Sequence, residues 1–166
     1  GGKVTKSGSN GKVTYRYYAD PKCTKEVAAS NVKGAGTYYV RATLAPDANH
    51  SGATSSAAKF TITKANNPLT VTSAAKTVQL SKIRKSTQTV SAITVSKAQG
   101  AKSFSVSKWL TPSASKYLTV NKTNGKVTVK RGTPKGTYKL QVKVMASGNG
   151  NYSSGSRVVT VSVIVK

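Results

Sequence analysis

The chain has 166 residues, 37% of them hydrophobic, with many Val, Thr, Ser, Gly and Tyr and few Leu, Glu or Met. That balance favours strands over helices. Lys and Arg number 27 against three acids, a net charge of +24, so the surface must attract polyanions at low salt. Residues 67–166 hold seventeen basic residues and no Asp or Glu, which excludes paired-carboxylate catalysis and an ordinary calcium cage there.

Residues 1–66 hold the other ten basic residues and all three acids, Asp20, Glu26 and Asp47. No apolar run reaches the length of a membrane span. No signal peptide is visible at Gly1, so the sequence reads as an internal or mature segment, with Gly1-Gly2 a cloning remnant. The single cysteine, Cys23, cannot form an intrachain disulfide. It reads as a small structural or turn residue rather than a reactive thiol, which would need cationic activation.

In chain order, residues 13–18 alternate, with Val13, Tyr15 and Tyr17 on one side and Thr14, Arg16 and Tyr18 on the other, the period of a half-buried strand. Asp20-Pro21 turns the chain. Residues 24–27 suit a short edge strand, closed by Ser30-Asn31. Residues 36–44 (GTYYVRATL) predict the next strand, residues 46–49 a turn, and the alternation of Ala58, Phe60 and Ile62 with polar neighbours a further strand. Residues 64–68 (KANNP) read as a linker, because Pro68 lacks an N–H and holds Asn67 extended.

Beyond it, Leu69, Val71, Val78 and Leu80 open a second module. Residues 83–85 read as a basic surface stretch, and Val90, Ile93 and Val95 as core. Phe104 and Val106 alternate with Ser103, Ser105 and Ser107 before Trp109. Residues 118–120 and 126–129 flank 121–125 (NKTNG), whose Asn-Gly is a strong hairpin signal because both residues tolerate positive φ. Residues 138–144 alternate strictly, residues 148–155 form a polar loop, and Val159, Val161, Val163 and Val165 line the closing strand. No segment shows helical periodicity over ten residues.

The stretch 36–44 recurs as 136–144 (GTYKLQVKV), and residues 48–51 (ANHS) are echoed by 150–153 (GNYS) with two residues inserted before the second copy. A unit repeating after about a hundred residues predicts two modules of one kind. Roughly six or seven strands per hundred residues is the sequence pattern of a β-sandwich. The expected fold is therefore all-β, two tandem β-sandwich modules at 1–66 and 67–166. The first is short enough to suggest truncation at its N-terminus.

The run 34–40 (GAGTYYV) resembles the Ig-fold strand that carries the tyrosine corner, with Tyr38 at the corner and Val40 where antibody domains have cysteine. Tyr138 and Leu140 take those places in the second module. The run 118–129 (LTVNKTNGKVTV) followed by 136–140 (GTYKL) is similar to bacterial Ig-like and cadherin-like repeats. The resemblance covers about two thirds of the chain. It implies tandem repeats of a secreted, wall-attached surface protein of Gram-positive bacteria, acting as spacer or adhesive stalk. The acidic calcium motifs of true cadherin junctions are missing, which places calcium-stiffened junctions in doubt.

For catalysis, the one histidine, His50, could act as a base beside Asp47, but no nucleophile motif or oxyanion loop accompanies it; a loop residue aligned with Tyr152 is the plainer reading. One His, one Cys and three acids at no ligand spacing give no metal site, and no cofactor is expected. A Lys–Asn isopeptide bond would need a buried carboxylate, which only Glu26 or Asp20 could supply.

Binding is more open. If the strands at 13–18 and 36–44 are neighbours, one face carries Arg16, Tyr18, Tyr39 and Arg41, the kind of surface that takes glycans or proteins, although cross-strand tyrosines also stabilise a sheet on their own. Trp109 is a core anchor or an exposed stacking platform. The expected function is a non-enzymatic structural or adhesive module, monomeric, with a host glycan, mucin, extracellular protein or anionic cell-wall polymer as partner. The alternative is a carbohydrate- or polyanion-binding accessory module of a secreted enzyme. Nucleic acid ranks lower, since the basic residues are mainly dispersed lysines without a recognised motif, and such lysines also keep sheet edges apart.

Overall fold

A computed structural model describes residues 4–166; Gly1-Gly2, read above as a cloning remnant, lies outside the described residues. The chain divides into two compact units, one ending at Lys64 and the other spanning Ala65–Lys166.

The first unit is one twisted sheet. Strands β1 (Val13–Tyr18), β2 (Glu26–Val27), β3 (Gly36–Leu44), β4 (Ala53–Thr54) and β5 (Ala58–Ile62) lie in the order β2-β1-β3-β4, with β5 also on β3. The short edge strand expected in 24–27 is β2, and a single 3₁₀ turn, Ala29–Asn31, follows it. Alternation sorts the side chains. Tyr15 and Ala42, Tyr17 and Val40, and Tyr38 and Phe60 are cross-strand partners on the apolar face.

Aromatic rings replace aliphatic packing there. Phe60 stacks on Tyr38 at 5.7 Å and meets Tyr17 edge-on at 6.2 Å, geometries that add to simple area burial. Among the described residues no second sheet covers this face. It forms a groove of about 700 Å³ lined by Tyr15, Tyr17, Val40, Ala42, Ala58 and Phe60, and Tyr15 remains 49% exposed. Among the described residues the first unit thus shows this one layer.

The second unit has the layered core that the first lacks. Its main sheet comprises β7 (Lys76–Val78), β10 (Lys102–Trp109), β13 (Gly136–Ala146) and β14 (Gly155–Val165), ordered β10-β13-β14-β7. The last pair is parallel. A three-stranded sheet of β8 (Gln88–Val90), β11 (Leu118–Val120) and β12 (Val127–Val129) and a two-stranded one of β6 (Thr70–Ser73) and β9 (Ile93–Ser96) complete it.

Two short helices, α1 (Leu80–Lys85) and α2 (Ala114–Tyr117), fill corners. Tyr138, Leu140, Val142 and Val144 of β13 and Val161, Val163 and Val165 of β14 pack against Ile83, Leu118, Val127 and Val129, all buried. Every buried apolar side chain among the described residues lies at or beyond Leu69.

Two expectations for this region are corrected. Residues 83–85 are not merely a basic surface: Ile83 is fully buried on the inner side of α1, while Arg84 and Lys85 face out. The expected hairpin joins β11 to β12 across 121–125, with positive φ at Gly125 but not at Asn124. Asn121 shapes it instead, its Oδ1 accepting the N–H groups of Thr123 and Asn124. Gly125 is required twice, by its φ of +70° and because a β-carbon would meet the Phe104 ring at 2.5 Å.

The second correction concerns 64–68, whose residues from Ala65 on are built into the second unit. The N–H of Ala65 donates to Asn151 O and its carbonyl accepts from Ser153 N–H, each at 2.9 Å. Buried Asn67 donates through Nδ2 to the Gln99 and Ser153 carbonyls and accepts the Gln99 N–H. A buried amide must find such partners, so Asn67 ties two loops of its unit together rather than acting as a swivel.

Candidate ligand-binding face

Strands β1 and β3 are antiparallel neighbours, and their register brings Arg16 opposite Arg41 and Tyr18 opposite Tyr39. Opposed side chains on one face of an antiparallel pair have β-carbons about 4.5–5.5 Å apart. The four side chains predicted from the sequence thus share one face of the first sheet, the face away from the aromatic groove. Trp109 belongs to the other unit.

Two residues not foreseen as members complete the face. Lys59 of β5 lies opposite Tyr39, and Glu26 of β2 lies opposite Tyr18. The row Glu26, Tyr18, Tyr39, Lys59 therefore runs across four strands. The alternation of Lys59 with Phe60 gave its sidedness, but its neighbour could be known only from the pairing of β5 with β3.

The electrostatics are uneven. Glu26 pairs with Arg16 at 3.3 Å, and with 64% and 53% of the two side chains exposed the pair is well solvated, so it adds little to stability. Arg41 is half-buried and its Nε, shielded from solvent, has no hydrogen-bond partner among the described residues. Tyr18 and Tyr39 are half-buried and offer ring surface to the same face.

The His50 and Asp47 pair is structural. Nδ1 of His50 lies 2.9 Å from Oδ1 of Asp47. The carboxylate also accepts the Asn49 N–H, the hydroxyl of buried Ser9 and the Asn10 N–H. These donors, the Asn49 N–H first and then His50, hold the Asp47 carboxyl far below the usual carboxylate range. The Ser9 hydroxyl bonds the carboxylate rather than the imidazole, so the three residues form no relay to a nucleophile.

Asp20 closes the other acidic turn. Partial desolvation pushes its carboxyl up, but the N–H groups of Lys25 and Thr24 outweigh that and lower it overall. Cys23 sits inside this turn with φ +56°, its N–H donating to Asp20 O.

Trp109 pairs with Leu140 and packs, half-buried, against the core of the second unit. Tyr38 and Tyr138 both form tyrosine corners, their hydroxyls donating to Gly34 O at 3.1 Å and Pro134 O at 2.9 Å.

No known protein family and no curated protein matches the sequence. Solved structures do resemble the fold. The protocadherin gamma B4 extracellular domain matches with a TM-score of 0.51 at 15% identity, covering 95% of this chain and 28% of that one. Protocadherin gamma B2 extracellular cadherin domains 3-6 give 0.54 at 15%, covering 95% and 42%. Mouse clustered PcdhgC3 EC1-3 gives 0.53 at 11%, covering 96% and 54%. The chain thus spans about half or less of each. Identity this low speaks for the fold alone, an all-β, cadherin-like architecture.

Proposed function

We propose that the chain is a non-enzymatic adhesive or spacing segment of an extracellular protein, built of tandem Ig-like modules and displayed at a bacterial cell surface. The observation that carries this reading is the cadherin-like fold, since the solved structures that match are extracellular cadherin domains. The roles of the carboxylates support it. Asp20 and Asp47 close turns and Glu26 is ion-paired, while residues 67–166 contain no acid. Host glycans, mucins, extracellular proteins or anionic wall polymers are the partner classes, met through the face of Arg16, Tyr18, Tyr39 and Arg41. The bacterial setting rests on the repeat pattern in 118–140.

A second reading draws on the charge, +17 over residues 67–166 without one acid. Such a surface suits a polyanion-binding accessory module of a secreted enzyme. A glycan and extracellular-protein array at physiological salt, repeated at about 0.5 M where the screening length falls below about 5 Å, separates the cases. A ligand retained in high salt and lost on Tyr39→Ala supports an adhesive site. Hits that all vanish in salt leave a charged spacer, and the adhesive reading fails.

A further inference from the structure

The cross-strand pairing of Arg16 with Arg41 contradicts the ordinary rule for sheets. Like charges directly opposite one another destabilise an antiparallel pair, yet these two are register partners. Their one close counter-charge, Glu26, reaches Arg16 only. Arg41 is the more buried of the two and carries a shielded Nε–H with no acceptor among the described residues. A buried donor left without a partner destabilises the fold. Two opposed arginines with a single carboxylate beside one of them point to a missing anion; the shielded Nε–H is not itself open to a ligand.

The surroundings define what kind. Tyr18 and Tyr39 are opposed in the next row on the same face, and Lys59 lies opposite Tyr39. Phenol rings offer a flat apolar surface with a polar rim, suited to the C–H face of a pyranose. A carboxylate has two oxygens and is satisfied by one guanidinium fork. A sulfate ester has three terminal oxygens and keeps its charge at any physiological pH, so it can accept from both arginines together. We propose that this face binds a sulfated sugar, its sulfate between Arg16 and Arg41 and its ring against Tyr39 and Tyr18. The site rests on the adhesive reading given above and names its ligand class.

The test uses the full chain, labelled for amide NMR and titrated with a sulfated tetrasaccharide or with the same tetrasaccharide after desulfation, at physiological and at raised salt. The expected result is a set of shifts centred on β1, β3 and β5 with the sulfated probe and none with the desulfated one. Arg41→Gln and Arg16→Gln should each weaken binding at least about tenfold, the loss of one charge-assisted contact. Lys126→Gln, an exposed change of equal charge in the other unit, should alter it less than about twofold. Arg16 is largely exposed, so its variant reports on binding even where Arg41→Gln disturbs the sheet.

Equal losses from Arg16→Gln and Lys126→Gln, or binding of the desulfated probe, overturn the proposal. Salt-resistant array hits whose shifts map elsewhere would also sink this site, while leaving the adhesive reading standing.

Discussion

Asp47 and Asn149 perform the same task in the two units with different charge. The Asp47 N–H donates to His50 O and the Asn149 N–H to Tyr152 O, both at 3.0 Å. In each case the side-chain oxygen accepts the N–H two residues on, from Asn49 and from Asn151, at 2.9 Å. An Asn amide can close the same turn as an Asp carboxylate. Asn121 does likewise at the β11–β12 hairpin, and buried Asn67 pins its loops. That is how the second unit dispenses with acids.

The tyrosine corners add a second shared device. Burial and then the neighbouring Tyr117 hydroxyl push the Tyr138 phenol up, so it stays a donor to Pro134 O. Tyr138→Phe leaves that carbonyl short of a partner and should cost about 1–2 kcal/mol. Trp109, the sole tryptophan, lies in the same unit, so its fluorescence during urea unfolding reads this cost directly. An unchanged midpoint would show that the corner hydroxyl contributes nothing.

At the level of elements, β10 shows why alternation can mislead. Phe104 and Val106 occupy even positions and pack inward. Continued alternation would send Trp109 outward with the serines. Instead the register slips between Val106 and Lys108, leaving Ser107 as an extra residue, and Trp109 falls opposite Leu140. A bulge reverses the parity of everything after it.

Deleting Ser107 should therefore be tolerated. The strand would pair without interruption, with Trp109 still facing the core and only the Ser107 hydroxyl contact to Gln141 O lost. The expected change in stability is below about 2 kcal/mol, with the emission maximum of Trp109 unmoved. A shift of that maximum to the red would show that the bulge itself is needed to seat the ring.

The same logic sorts what could be read from the residues alone. Strands 13–18, 36–44 and 138–144 were legible because a period of two is local. The arginine–tyrosine face followed once the first and third strands were taken as neighbours. Ile83 was hidden because a six-residue helix offers under two turns of periodicity. The parallel pairing of β7 with β14 and the place of Lys59 depend on contacts distant in sequence, which no local pattern encodes.

Across the whole molecule, the acids and the buried core lie in different units, and acid should reveal this. Asp47 and Asp20 have folded-state pKa values below their ordinary 3.8. A depressed carboxyl binds its proton more weakly in the native state than in the unfolded chain. Its contribution is thus fully present above about pH 4 and drains away as pH falls through that value towards the lower, native one.

Both groups sit in the first unit, whose apolar face no second sheet covers among the described residues. The second unit has no Asp or Glu to protonate and a core of fully buried Leu, Ile and Val. Lowering the pH from about 5 to about 2 should weaken the first unit, because unfolding then lets the Asp47 and Asp20 carboxyls take up protons that they refuse in the folded turn, so its amides exchange faster and its signals fade. The amides of Leu140, Val142 and Val163 should keep their positions and their slow hydrogen exchange, because nothing in that core titrates as a carboxylate. Asp47→Asn tests the cause: its single amide oxygen can keep the Asn49 N–H but not the Asn10 N–H as well, and it does not titrate, so the variant should start less stable and lose little more in acid. If both units lose their signals together in acid, the carboxylate turns are not what sets the first unit apart.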